Sequence, residues 1–165
     1  MVFDAMNTQI GSAEEDSIAD PSFIVSVGDN IYPAVSNAPT LEEWELMLGL
    51  FNRTNIADLP VWAIRGNKDA NFDWTEEIQL TMEQQQWSLP SLYYKQLIPS
   101  GKNGELMGLL YIDSVLMACS DYTASWLNTL NVTDVQHQNI KRLRQSVCAD
   151  PGQVQWGNMQ YEWIV

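Results

Sequence analysis

Two short apolar runs that stop on glycine constrain this chain more than anything else in it. Ile24-Val25-Ser26-Val27 ends in Gly28-Asp29-Asn30-Ile31-Tyr32, and Val61-Trp62-Ala63-Ile64 ends in Arg65-Gly66-Asn67-Lys68-Asp69. A brief apolar run bounded by turn residues reads as a buried strand, and the glycine after it turns the chain sharply. Each turn then delivers polar side chains at the carboxyl end of its strand, where open α/β sheets place their ligands. Asp29, Tyr32 and Asn67 are oxygen donors, the type that suits hard or borderline cations.

The remaining pattern extends this to an α/β chain. Strands are expected over 23–27 and 60–65, with a helix at 40–51 between them. Thr40 can cap that helix, Glu42 and Glu43 suit its first turn, and Leu41, Trp44, Leu48 and Phe51 share one face. Further helices are expected over 7–18, 74–86 (with Asp73 as cap), 135–146 and 154–164. Segments 93–98 and 105–111 read as an antiparallel pair across a Pro99-Ser100-Gly101 turn, and 115–120 reads as one more strand. The sum is one mixed sheet with flanking helices in a single domain, 1–165.

Five collinear segments resemble the purple acid phosphatase branch of the metallophosphoesterases, in particular the small tartrate-resistant acid phosphatases. Gly28-Asp29-Asn30-Ile31-Tyr32 matches that family's Gly-Asp-x-x-Tyr, and Gly66-Asn67-Lys68-Asp69 its Gly-Asn-His-Asp. Trp87-Ser88-Leu89-Pro90-Ser91-Leu92-Tyr93-Tyr94 is similar to its Trp-x-x-Pro-x-x-Tyr-Tyr segment. Leu109-Leu110-Tyr111-Ile112-Asp113-Ser114 looks like its next core strand, and Gln160-Tyr161-Glu162-Trp163-Ile164 like its Gln-x-x-Trp-Leu helix. The resemblance implies half of the family's αββα sandwich. It implies that Asp29 bridges two metals, that Tyr32 binds the ferric ion and that Asn67 binds the second metal. It also places Cys119 where the family has a paired cysteine; the two cysteines, Cys119 and Cys148, by themselves leave pairing and redox compartment open.

The departures from that family bear on function. Its opening Asp-x-Gly strand has no counterpart before Asp29, and residues 1–15 read as the remains of the helix after it. Its three later histidines are absent, and His137, in a polar run, reads as a solvated helix residue. The family's active-site histidine is Lys68 here. Phosphomonoester hydrolysis in this family uses two cations to polarise the phosphoryl group and acidify a water, and about seven donors hold such a pair. Asp29, Tyr32 and Asn67 are three, so no cofactor is expected in this chain; iron with iron, zinc or manganese is expected if other residues complete the site. A lysine can contact phosphate as a point charge, but with a pKa of about 10 it is a poor general acid. Its ammonium can also stand in for a missing metal among Asp29, Asp69 and Asn67.

Three functions follow. The first is a catalytically inactive phosphatase-like chain serving as a structural or accessory subunit. The second is an active dinuclear acid phosphatase completed from outside the chain, with Lys68 on the phosphate and Asp69 orienting its neighbours. The third is a phosphate-binding module that uses Lys68 without hydrolysis. A formal charge of −13 disfavours nucleic acid and anionic membranes as partners. No apolar stretch of about 18 residues suggests a membrane span, and no signal peptide is seen at the amino terminus. The sequons Asn52-Arg53-Thr54 and Asn131-Val132-Thr133, with the family, favour a secretory, lysosomal or extracellular setting. Half a sandwich would expose an apolar sheet face, so other protein subunits are the expected partners.

Overall fold

The computed structural model describes residues 21–32, 39–52, 56–71, 74–100, 104–129 and 135–165. The expected helix at 7–18, the Asp73 cap, most of both sequons, Gly101 and the His137 side chain lie outside the described residues.

The two glycine-terminated runs pair side by side. Strand β1 (Ile24–Ser26) is parallel to β2 (Val61–Ala63), with Ile24 opposite Val61 and Ser26 opposite Ala63. A two-residue strand β3 (Trp87–Ser88) flanks β2 on the other side, also parallel. Alternation puts Val61 and Ala63 on one face of β2, where neither has exposed surface, while Trp62 on the other is half-buried and stacks on Phe23. The helix between β1 and β2 is α1 (Leu41–Phe51). Its first turn closes as a capping box: Glu43 N donates to Thr40 Oγ1 (3.2 Å), and Thr40 N donates to Glu43 Oε2 (2.8 Å). Trp44 and Phe51 then reach one core with Ile56, Leu80, Trp87 and Leu89. Helix α2 (Trp74–Glu83) brings Leu80 to it and ends three residues earlier than expected.

Strands β4 (Tyr94–Ser100) and β5 (Glu105–Tyr111) form the expected antiparallel pair, but β4 runs on through Pro99 and Ser100, which were expected in the turn, and the two make a separate two-stranded sheet and not part of a single mixed one. Alternation decides which face packs inward. Tyr94 and Tyr111 are directly opposite and stack with ring centroids 4.4 Å apart, and the Tyr94 hydroxyl donates to Ala63 O at 2.7 Å, fastening the hairpin to β2. The other face leaves Leu97, Leu106 and Leu110 exposed. The chain is thus mixed α/β, with a parallel sheet, an antiparallel sheet and helices.

The expected strand at 115–120 is a helix, α3 (Ser114–Cys119). Asp113 accounts for this. Its Oδ1 accepts from Val115 N (2.8 Å) and Leu116 N (3.0 Å), satisfying two of the donors that an opening helical turn leaves free. An apolar run this short fits either period, and the cap decides. Three helices follow: α4 (Asp121–Thr129), which the sequence reading did not anticipate, α5 (Val135–Val147) and α6 (Pro151–Ile164). Helices α3 and α6 approach closely at Gly157, where an added Cβ would lie 2.9 Å from Ser120 N and collide with Leu116 O. A disulfide joins Cys119 of α3 to Cys148, just past α5, with a Cα–Cα distance of 5.2 Å. No helix among the described residues is long and apolar enough to cross a membrane.

Candidate functional site

The carboxyl ends of β1 and β2 meet backbone to backbone. Gly28 adopts φ 101° and Asp29 φ 53°, left-handed values that glycine takes freely and aspartate tolerates. A Cβ on Gly28 would lie 2.6 Å from Gly66 Cα, and one on Gly66 would collide with the main chain and side chain of Asp29. Only a glycine pair lets the two turns come this close, and that contact delivers Asp29 beside residues 66–69.

Asp29 is held by both turns. Its Oδ1 accepts from Lys68 N at 3.0 Å and its Oδ2 from the Tyr32 hydroxyl at 2.8 Å. Asn67 shares with Asp29 the lining of a cleft of about 350 Å³, to which Arg65, Ile112 and Ser114 also contribute. Tyr32 touches Asp29 from the solvent side and is 65% exposed. Its pKa lies above the ordinary value, first because of that hydrogen bond and also through the Asp29 charge, so the phenol is held protonated. Lys68 is exposed, whereas its neighbour Asp69 is buried.

Asp69 turns inward and ties the two loops together. It accepts from Gly66 N (2.8 Å) in its own turn and from Asn30 N (3.1 Å) in the other. Burial raises its pKa, with the backbone donors opposing. Asn30 continues the network: its Nδ2 donates to Ile64 O (3.0 Å) and to Glu77 Oε1 (2.6 Å), and Ser26 Oγ donates to its Oδ1. Glu77, from α2, is 3% exposed. Its pKa is pushed up to about 8, chiefly by burial and then by the Asp69 charge, against the Asn30 hydrogen bond and Arg65.

Beneath the cleft, Arg65 and Asp113 form a fully buried ion pair with Nε–Oδ2 at 2.7 Å. Arg65 Nη2 donates to Gln153 Oε1 (3.1 Å), and Gln160 spans the Asp113 backbone through both amide atoms (3.0 and 2.8 Å). Asp113 therefore caps α3 and anchors β2 to α6 at once. Arg65, Glu77 and Asn30 were not among the expected site residues. The signal for Arg65 is a cation set between an apolar run and its glycine turn; nothing marks Glu77 apart from Glu76 beside it.

The donors fit a dinuclear metal centre poorly. Asp29 spends an oxygen on each loop, and Asn67 is a neutral amide. Among the described residues no group of three or more His, Cys, Asp or Glu is placed to hold a metal ion. No protein-family model matches this chain, and neither does any curated protein.

Proposed function

We propose that the chain is a metallophosphoesterase-like protein of the purple acid phosphatase type, built on half of that family's αββα sandwich, that does not hydrolyse phosphomonoesters and acts as a structural or accessory subunit. One observation carries this reading: Asp29, the motif's bridging ligand, is engaged by Lys68 N and the Tyr32 hydroxyl. Its carboxylate closes the contact between the β1 and β2 turns, in the place where the resemblance puts a pair of cations. The geometry of paired strands with donors at their carboxyl ends supports the family origin. The spent donor set and the lysine at the histidine position support the loss of hydrolysis. The exposed apolar face of Leu97, Leu106 and Leu110 supports a subunit role, since such patches are generally covered by partners.

The test is hydrolysis of p-nitrophenyl phosphate at acidic pH by the purified protein, with iron, zinc or manganese supplied. The reading expects no rate above that of buffer with metal. Turnover that disappears in Asp29→Ala would overturn it.

A further inference from the structure

The face between α1 and α2 is hollowed and uniformly acidic. Pro39, Leu41, Trp44, Glu76, Leu80 and Glu83 line a groove of about 220 Å³ there. A second hollow, of about 450 Å³, opens on the other side of α2 over Ile78 and Met82. The ridge between the two is Gln79 with Glu83, joined by a 2.8 Å hydrogen bond. Leu41 is 67% exposed and Met82 84%, so each hollow has an apolar lip open to solvent. Neither helix contains a lysine or arginine, whereas together they carry Glu42, Glu43, Glu45, Glu76 and Glu83 besides the inward-facing Glu77.

Trp44 supplies a second, independent observation. Its side chain lines the groove, is nearly fully buried, and leaves its indole Nε1 without a hydrogen-bond partner. A buried donor with no acceptor is uncommon and costly. An aromatic ring among carboxylates also favours the aliphatic stem and charged head of lysine or arginine.

We propose that this α1–α2 groove docks a basic amphipathic helix of a partner protein. Apolar side chains of that helix enter the two hollows beside Trp44 and Met82, and its lysines or arginines meet Glu76 and Glu83. Charge complementarity selects this occupant: a second copy of the chain would bring another acidic surface, and an anionic membrane would be repelled. The proposal does not depend on the phosphatase-like reading, because it uses neither the β1 and β2 turns nor the hairpin face.

The test is fluorescence anisotropy of a labelled helical peptide with leucine on one face and lysine on the other, titrated with the whole protein. A control peptide carries glutamate for lysine. The lysine peptide binds and the glutamate peptide does not. Glu76→Lys/Glu83→Lys weakens binding roughly tenfold, the sum of two partly exposed charge pairs. Glu105→Lys/Glu162→Lys makes the same change in net charge on other exposed positions and leaves binding within about twofold. Equal loss in the two double variants would reduce the effect to general charge attraction and overturn the proposal, as would no loss in the groove variant.

Discussion

Arg65 Nε and Asp113 Oδ2 lie 2.7 Å apart with neither side chain exposed, and this pair joins the β2 turn to the start of α3. Removing one partner leaves the other charge buried and alone, which costs far more than the pair itself contributes. Arg65→Ala is therefore expected to lose about 3–5 kcal/mol of stability. Urea denaturation monitored by circular dichroism measures it, and a loss under about 1 kcal/mol would mean that the pair is dispensable.

Glu77 gives the fold a pH dependence of defined sign. Its folded pKa, about 8, lies above the ordinary value of 4.5, because burial and Asp69 disfavour the charged form. The stability contributed by the protonated acid is fully present below pH 4.5 and is lost as pH rises toward 8. Burial shifts Asp69 and Asp113 in the same direction. The melting temperature is expected to fall from mildly acidic to mildly alkaline pH. Glu77→Gln, which keeps an oxygen for Asn30 and cannot ionise, flattens that fall and is the more stable protein at the alkaline end. Parallel melting curves for the two proteins across this range would contradict the assignment.

The Cys119–Cys148 bridge closes a segment of 29 residues spanning α4 and α5. Cross-linking a loop of this length restricts the unfolded chain by about 3–4 kcal/mol. Cys119→Ala/Cys148→Ala, compared with the parent in non-reducing denaturant, is expected to lose that amount. Arg144, whose guanidinium donates to Ala118 O and Ser120 O at the end of α3, still provides a polar clamp between α5 and α3.

Local chemistry made some of this structure readable in advance. The Thr40–Glu43 capping box appears where its spacing places it, and of the expected apolar face of α1 Trp44 and Phe51 are buried whereas Leu41 stays exposed. The alternation of 93–98 and 105–111 likewise becomes β4 and β5. Helix α3 was misread because its apolar run is as short as a strand and its decisive residue, Asp113, had been assigned to the end of the preceding one. The convergence of Asp29 and Asn67 on one cleft was legible, since a strand ending in glycine implies a turn at a sheet end. The burial of Glu77 and Arg65 was not. It depends on which helix face meets the β1 and β2 turns, and that is settled only by packing between segments far apart in the chain.

On the proposed function, Asp29 closes a contact between two turns and does not bridge two cations. Elemental mass spectrometry of the natively purified protein, with a visible absorption spectrum, tests it most directly. The account predicts no stoichiometric iron, zinc or manganese and no tyrosinate-to-iron band. Two metal ions per chain with a purple absorption that Asp29→Ala abolishes would contradict it.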